Sequence, residues 1–543
     1  MEKLVSKILN IKLILLLFVL VSIVYFDLPG LYMDAVNPDY VLEHIMHINN
    51  VPAWIFSDNV IASAFGNPWG LPLLNSLYGT NFTAYCSLPI VAILGNGIYT
   101  VRICHLLFAV LMLLSAYYFI KTATQDTKSA SLICLLIALE PSIVFAQRTQ
   151  YYLQLFPLIF SFVGIALITR QLTSNHIEFW KFIGAFVLLG LAACSYFIFA
   201  GYFVAVFIVV LVYVLKNKKD KKIPFLAILG FIVGYLPFIY AHLSILMQSG
   251  VAGYLQIIKG LDTYGISEGQ TGLIGRIQDF FHESSRLFSG EAIIHTITGK
   301  GVFSNVFTFI FYAFGVACIS ISIIIALSKR KLFSSYGSRY AIIILDSCIF
   351  MHFAIALVVG SSLGYQHYVM LIPIIYLASS LLIFEFLKNS FSYNRRSIIM
   401  KLLPLIVEAI IICDVVNISA GYHNIGKTGG TGYYSEAIND IGEYLKSNSD
   451  ENDVIICPQW GYWMGIAVIT DGQRAIWNDS NIEAIKNRIS QSRHKRYFIV
   501  DDNVTNDELI DEIIKSTEKK LTLEIPFSDR SGGILDIKLL LVE

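Results

Sequence analysis

The sequence predicts an α-helical polytopic membrane protein of about eleven spans with a small α/β domain at its C-terminal end. Hydrophobic residues make up 56% of the 543 residues and charged residues only 14%, which leaves more apolar surface than a soluble core can hide. The apolar residues fall in long runs separated by short basic loops, and the composition becomes that of a soluble protein after Tyr422. Two domains are therefore expected, a membrane module at 1–422 and a soluble α/β domain at 423–543.

The predicted spans are apolar runs close to the length of about 20 residues that a helix needs to cross a bilayer. They are residues 11–27, 103–120, 130–147, 151–169, 179–197, 199–215, 223–243, 303–327, 340–362, 367–387 and 398–420. With the N-terminus in the cytoplasm, every short basic loop lies inside, as the positive-inside rule requires. These loops contain Lys121 with Lys128, Arg170 with Lys181, Lys216 to Lys222, Lys329 to Lys331 with Arg339, and Lys388 to Arg396. A prokaryotic plasma membrane is the simplest location for such a protein.

Two long loops are predicted on the extracytoplasmic side, at about 27–102 and 244–302. The first has no lysine or arginine between Asp27 and Val101. It follows a single span from a cytoplasmic N-terminus, which places it outside. Residues 82–99 within it are apolar enough to span, but Pro89, Gly95 and Gly97 interrupt them. A span there would invert every later loop, so a re-entrant or surface-lying helix is expected.

The polar tail, residues 423–543, shows the alternation of a small α/β domain. Helical patterns at 434–446, 480–492 and 505–516 alternate with strand-like runs at 453–457, 496–500, 519–525 and 534–542. An odd number of spans before the tail puts this domain outside the cytoplasm. The net charge of zero argues against binding to nucleic acid.

Asp34 and Asp39 follow the first span and flank Pro38 in the first external loop. Proline suits the first turn of a helix, where carboxylates are stabilised by the helix dipole, so either aspartate is explained as a helix cap. In the alternative interpretation, one of them is a general base at the membrane boundary that takes a proton from an acceptor hydroxyl or amine. The residues by themselves favour the cap.

Three potential cations occur at the predicted outer face, against the positive-inside bias. Arg102 begins the second span at its outer end, Arg148 lies where the third span emerges, and His367 lies where the tenth re-enters. Each is explained alone as an interfacial anchor that reaches toward headgroups. Together they suit a lipid-linked phosphate, whose oxygens such groups bind strongly in a medium of low dielectric constant.

The order of these features resembles that of the GT-C glycosyltransferases, multi-span enzymes that take sugar from a polyprenyl-phosphate carrier and include protein O-mannosyltransferases and lipid A aminoarabinose transferases. The likeness is strongest over the first 170 residues and consists of short segments in a characteristic succession. These are the acidic segment from Asp34 to Glu43, Leu71-Pro72-Leu73-Leu74, Tyr78-Gly79-Thr80, Tyr85, Pro89, Leu94-Gly95, Arg102 at the start of the next span, and Pro141 with Gln147-Arg148.

The resemblance implies a catalytic aspartate in the first loop, and Arg102, Arg148 and His367 as candidates for binding the donor phosphate. The commonest form of the family has adjacent Asp-Glu, whereas here Asp34 and Asp39 stand apart. Either is therefore a candidate base, with Asp34 nearer the membrane edge. A divalent metal is compatible with two aspartates and a histidine, but the displacement does not require one.

The tail contains a weaker likeness to the Trp-Trp-Asp-Tyr-Gly acceptor motif of oligosaccharyltransferases, in the segment from Val454 to Trp463. Cys457, Pro458 and Gln459 stand where paired tryptophans and the aspartate are expected, so transfer to an asparagine sequon is not predicted. Trp460, Tyr462 and Trp463 are candidates for stacking on an acceptor or sugar, and the alternative is that they pack the tail against the membrane module.

The predicted activity is transfer of a sugar, by inverting displacement, from a polyprenyl-phosphate-linked donor to an extracytoplasmic lipid, glycan or protein. The main alternative is a transporter or a flippase for lipid-linked sugars, which also needs many spans and buried charges. Transporters often contain internal repeats with matched broken helices, and the chain has no second copy of its acidic loop.

Overall fold

The computed structural model describes most of the membrane module and the greater part of the tail. The described residues are 10–28, 74–76, 79–95, 97–149, 152–174, 176–259, 272–302, 312–313, 315–316, 336–359, 363–389, 393–459, 461–470, 475–478, 482–491, 494, 496–502, 514–515, 520–528, 530, 532 and 534–543. Asp34, Asp39 and Trp460 lie outside them, as does almost all of the predicted span at 303–327.

The membrane module is a bundle of α-helices. They are α1 (Ile11–Ser22), α2 (Phe82–Leu94), α3 (Ile98–Thr124), α4 (Thr127–Leu139), α5 (Pro141–Ala146), α6 (Tyr152–Thr173), α7 (Phe179–Ser195), α8 (Ile198–Lys216), α9 (Lys222–Lys259), α10 (Leu273–Leu287), α11 (Glu291–Thr298), α12 (Tyr336–Val359), α13 (Leu371–Asn389) and α14 (Tyr393–Thr428). A two-stranded hairpin, β1 (Leu74–Ser76) and β2 (Gly79–Thr80), precedes α2.

Ten of the eleven predicted spans coincide with described helices, and the predicted polytopic helical class is confirmed. Seven described helices are long and apolar enough to cross a membrane, while α1, α2, α4 and α7 are apolar but shorter. The predicted number of about eleven spans is therefore not confirmed.

The third predicted span is divided where Glu140 precedes Pro141. α4 ends at Leu139, and α5 starts at Pro141 with Glu140 extended between them. Proline has no amide hydrogen and disfavours helical backbone in the residue before it, which favours a break in the helix at this position. The break turns the Glu140 side chain into the protein interior, where it is fully buried.

Residues 82–94 form α2, which packs against the first turns of α3 and against α6. Phe82, Cys86 and Ile90 contact a buried cluster of Cys104, Phe108 and Phe156. The 13 residues of α2 rise by about 20 Å, whereas the hydrocarbon core of a bilayer is about 30 Å thick. Gly95 and Gly97 have positive φ angles and reverse the chain into α3. This length favours the predicted re-entrant or surface-lying helix.

α7 and α9 pack through glycines. A Cβ atom at Gly190 would overlap the backbone of α9, and one at Gly230 or Gly234 would overlap α7. Helix interfaces in membranes use small residues in this way, because close backbone approach supplies the dispersion contacts that the hydrophobic effect cannot supply in lipid.

The second predicted external loop is helical over α10 and α11. Leu287, Ile293 and Ile294 are completely buried, so this segment belongs to the main hydrophobic core. Ser289 and Gly290, between the two helices, have φ angles of 80° and 76°. Gly290 faces Pro141, and a Cβ there would collide with the proline ring. The loop is thus docked against the break between α4 and α5.

The tail contains a five-stranded mixed sheet with helices on both faces, which confirms the predicted small α/β domain. The strands are β3 (Val454–Cys457), β4 (Ala475–Asn478), β5 (Tyr497–Asp502), β6 (Leu521–Ser528) and β7 (Ile534–Val542), in the order β4-β3-β5-β7-β6. β4, β3 and β5 are parallel to one another, whereas β7 is antiparallel to both of its neighbours, β5 and β6. The helices are α15 (Ala437–Asn448), α16 (Tyr462–Ile469) and α17 (Ile482–Gln491).

The tail is docked onto the membrane module. α14 continues to Thr428, and the following Thr431 amide donates to the carbonyl of Ile297 at the end of α11, at 3.0 Å. Val468 of α16 packs in a buried cluster with Val101 and Ile98 in the first turn of α3. The soluble domain therefore lies against the end of α3 that carries Arg102.

Candidate functional site

Arg102 lies in the first turns of α3, and its guanidinium group is buried. Nη1 donates to the carbonyl of Gln147 at 3.1 Å, and Nη2 donates to the carbonyl of Leu28 at 2.6 Å. His105, one turn further along the same helix, shares the Gln147 carbonyl through Nδ1 at 3.0 Å. A carbonyl only accepts, so Nδ1 of His105 carries the proton in this arrangement.

Arg148 follows Gln147 at the end of α5 and is only 4% exposed. Its Nη1 donates to the carbonyl of Tyr25 at 2.6 Å, and its Nη2 donates to the carbonyl of Ser22 at 3.2 Å. The guanidinium carbon lies 5.4 Å from the centre of the Tyr422 ring. Arginine near the C-terminus of a helix satisfies carbonyls that have no partner within the helix, and Ser22 is the last residue of α1.

The structure brings Arg102 and Arg148 together at one site. Both bind the stretch from Ser22 to Leu28, and both are close enough to Tyr422 to interact electrostatically with its hydroxyl group. We call residues 22–28 the root of the acidic loop, because the segment that carries Asp34 and Asp39 follows directly. The positions of those aspartates lie outside the described residues.

Arg148 has no counter-ion among the residues that the structure describes. Its hydrogen bonds reach neutral carbonyls, its Nε has no acceptor, and no carboxylate in the described part of the chain lies within ion-pair distance of it. A buried guanidinium without a counter-ion is costly. An anion supplied from elsewhere would therefore be bound strongly at this position.

His367 occupies a different environment from the two arginines. It lies in the 3-10 turn Tyr365–Tyr368 before α13, and its Nδ1 is hydrogen-bonded to the hydroxyl of Tyr196 at the end of α7. Nearby, the fully buried His352 of α12 bonds the Tyr202 hydroxyl at 2.9 Å. The described contacts thus place His367 in a histidine–tyrosine group and not against the root of the acidic loop.

The two described aromatic candidates of the tail lie at its interface with the membrane module. Tyr462 is 3% exposed and packs edge-on against Tyr433, at 6.1 Å between ring centres. Trp463 is half-buried and contacts the cores of both the module and the tail. The packing interpretation accounts for Tyr462, and a sugar contact at Trp460 or Trp463 stays a prediction. Burial raises the pKa of the neighbouring Cys457 thiol, which disfavours its nucleophilic thiolate form.

No protein-family model and no curated protein sequence matches this chain. Solved structures match over nearly its whole length. ArnT from Cupriavidus metallidurans bound to undecaprenyl phosphate superimposes with a TM-score of 0.55 at 10% identity, covering 98% of this chain and 97% of that one. The Archaeoglobus fulgidus oligosaccharyltransferase complex with Zn and sulfate gives 0.53 at 14% identity, covering 96% of this chain and 72% of that one. The chain has the GT-C fold.

Within this GT-C fold, Glu140 links the break between α4 and α5 to the segment between α10 and α11. Its Oε2 accepts a hydrogen bond from the Tyr376 hydroxyl of α13 at 2.7 Å, and its Oε1 accepts from the Ser289 amide at 3.1 Å. Asn417 of α14 donates to the Ser289 carbonyl at 3.2 Å, and the Ser142 hydroxyl donates to the carbonyl of Leu287. The network fixes the start of the short helix α5, which ends at Ala146 directly before Gln147 and Arg148.

Glu140→Ala is expected to destabilise the protein by about 3 kcal/mol or more, because it removes the acceptor of two buried donors and each unmet donor costs about 1–3 kcal/mol. Tyr376→Phe removes one donor and is expected to cost about half as much. Thermal inactivation of the detergent-solubilised protein measures both. Equal midpoints for the wild type and Glu140→Ala would show that the network does not stabilise the bundle.

The sequence predicted Arg102 and Arg148 at one membrane face but did not predict their surroundings. Arg102 and His105 share the Gln147 carbonyl, and the three-residue spacing of Arg102 and His105 on a helix was the available signal. Glu140 was visible as a charge within an apolar run, but its partner Tyr376 is remote in sequence. In the described part of the chain, no group of three or more His, Cys, Asp or Glu residues is arranged to hold a metal ion.

Proposed function

We propose that this protein is a membrane glycosyltransferase that transfers a sugar from a polyprenyl-phosphate-linked donor to an acceptor on the extracytoplasmic side. The GT-C fold supports the general type of enzyme. The similar ArnT structure is bound to undecaprenyl phosphate, which supports a donor of that class. The acceptor is a lipid, glycan or protein, and the proposed location is the plasma membrane of a prokaryote with the N-terminus in the cytoplasm.

The observation that carries this proposal is the buried Arg148 beside Arg102, which has no carboxylate partner in the described part of the chain. A phosphate diester on a lipid carrier would supply the missing anion, and a guanidinium group binds phosphate oxygens with two parallel donors. The proposed phosphate site contacts the root of the acidic loop. The proposed base follows that root in the sequence. Binding of the phosphate by His367 is kept as part of the proposal, although its described contacts are with Tyr196.

The proposed displacement uses few groups. The acceptor oxygen or nitrogen attacks the anomeric carbon and loses its proton to the carboxylate of Asp34 or Asp39. The bond between that carbon and the phosphate oxygen breaks, and the polyprenyl phosphate leaves as an anion. Positive charges at the phosphate stabilise the leaving group in place of a general acid, and the attack from the opposite side inverts the anomeric centre.

The test is to incubate the purified full-length protein in liposomes with radiolabelled polyprenyl-phosphate sugars and to measure release of polyprenyl phosphate. The expected result is carrier release that depends on the protein and on an added acceptor extract. If no donor yields free carrier while the same liposomes move labelled donor across the bilayer, the enzyme proposal fails and the flippase alternative replaces it.

A further inference from the structure

We propose that Arg530 of the tail is a positioning residue for the root of the acidic loop, because it lies over the Tyr25 ring while Arg148 binds the Tyr25 carbonyl. This inference rests on the proposed function, since it assigns the loop a catalytic aspartate. It gives the tail a role in positioning the root of the acidic loop.

Tyr25 contacts both the tail and the membrane module. Its carbonyl accepts from Arg148 Nη1 at 2.6 Å, and the Arg530 guanidinium lies over its ring, 5.2 Å from the ring centre. The Tyr422 ring, which Arg148 also faces, is 6.3 Å from the Tyr25 ring. The ring of Tyr25 is thus enclosed by the tail and α14, while its backbone is bound by α5.

Tyr25 has an unfavourable backbone conformation that these contacts maintain. Its φ angle is +50°, in the left-handed region that a residue with a side chain rarely adopts. Such a conformation is unfavourable and persists only when surrounding contacts determine it. On the α14 side the fit is close, because a Cβ at Gly426 would collide with the Tyr25 hydroxyl.

A second contact from the tail reaches the root two residues later. Asn439 of α15 donates through Nδ2 to the carbonyl of Asp27 at 3.2 Å. Arg530 is itself oriented by Glu436, whose Oε2 accepts from Arg530 Nε at 2.7 Å. Both Asn439 and Glu436 belong to the start of α15, so movement of that helix would be transmitted to Tyr25 and Asp27.

The consequence concerns catalysis more than donor binding. Arg102 and Arg148 contact the root from the membrane module, and we expect their hydrogen bonds to Leu28 and Ser22 to persist when Arg530 is replaced. The aspartates follow the root, and a displacement of about 1 Å at a reacting group lowers a rate by up to about 100-fold. Loss of the Arg530 contact is therefore expected to reduce kcat and to leave the affinity for polyprenyl phosphate nearly unchanged.

The tail offers a matched control in Arg496. Both arginines form an ion pair, Arg530 with Glu436 and Arg496 with Asp453, and their side chains are 31% and 33% exposed. Each also lies over an aromatic ring, which for Arg496 is Phe498 at 5.6 Å. Arg496 directly precedes β5 and binds Asp453, which directly precedes β3, and it makes no described contact with the root. Arg496→Met therefore disturbs the tail without releasing Tyr25.

The experiment compares Arg530→Met, Arg530→Lys and Arg496→Met with the wild type in the carrier-release assay, with hydrogen exchange of the amides of residues 22–28 measured in parallel. Arg530→Met is expected to lower kcat about 10-fold or more with donor KM within twofold, and to speed exchange in the root. Arg530→Lys restores part of kcat, and Arg496→Met leaves kcat and root exchange unchanged.

Unchanged kcat and exchange in Arg530→Met, with an active wild type, would overturn the positioning role. Equal losses in Arg530→Met and Arg496→Met would also overturn it, since they would reflect general loosening of the tail. A wild type that releases no carrier refutes the proposed function itself, and the catalytic role of Arg530 falls with it. These results are distinguishable from one another.

Discussion

Asp34→Asn is expected to slow carrier release by about 10²–10⁴-fold, the range that a positioned general base contributes. The amide keeps the size of the carboxyl group but cannot accept the acceptor's proton. Asp34 is favoured over Asp39 by the length of chain between each and the root. Leu28 is bound by Arg102, and 34 − 28 = 6 residues reach at most about 20 Å. The 39 − 28 = 11 residues to Asp39 reach almost twice as far.

The measurement is single-turnover release of labelled carrier by Asp34→Asn, Asp39→Asn and the double variant. Asp58→Asn is a suitable control, because Asp58 is an acidic residue of the same loop to which no role is assigned. Donor affinity should be similar in all variants, since the base acts in the displacement. Full activity of the double variant would exclude a base in this segment, and loss in Asp39→Asn alone would reverse the assignment.

The class of fold was predictable because bilayers impose simple length and charge rules. Apolar runs and basic loops predicted the helices, and a succession of short motifs in the first 170 residues led to the resemblance that the GT-C fold confirms. The same rules predict poorly how each run is divided. Glu140 with Pro141 splits one expected span into α4 and α5, and a hydropathy average over the whole run conceals such a break.

The arginine pair and His367 show what the side of the membrane does and does not predict. All three residues were expected at one membrane face. The side of the membrane determines the depth of a residue in the bilayer but not the helices that it faces. Arg102 and Arg148 meet because α3 and α5 both adjoin the root. His367 instead contacts Tyr196 at the end of α7. Helix packing decides such neighbours, and hydrophobic periodicity is weak when lipid and protein contacts are both apolar.

The tail was predicted as an α/β domain, and its main strands agree with the structure. The missed elements, β4 and α16, have weak sequence patterns for identifiable reasons. α16 is apolar on nearly all sides, because it lies between the sheet and the first turn of α3. β4 has only four residues, and polar residues precede it directly in the sequence. The docking of the tail on Tyr25 had no pattern in the sequence, since Arg530 lies more than 500 residues away.

Arg148→Met is expected to weaken binding of polyprenyl phosphate at least 10-fold and to lower kcat/KM by about 10²–10³-fold, the usual cost of removing one preorganised donor from a developing anion. Methionine retains the apolar stem of the side chain but not its charge. Arg148→Lys should lie between the two, because an ammonium group keeps the charge but lacks the planar pair of donors. Binding of radiolabelled undecaprenyl phosphate to the protein in detergent measures affinity without chemistry.

Arg276 provides the control for this experiment. Like Arg148, it donates to carbonyls at the end of a helix, here Leu357 at 2.7 Å and Val358 at 3.1 Å in α12, but it lies apart from the arginine pair. Arg276→Met is expected to leave carrier affinity unchanged. Arg148 also binds Ser22 and Tyr25, so its loss releases the root as well as any phosphate. If Arg148→Met loses turnover while its affinity for undecaprenyl phosphate equals that of the wild type, Arg148 only caps α1 and holds the root, and the phosphate site must be sought elsewhere.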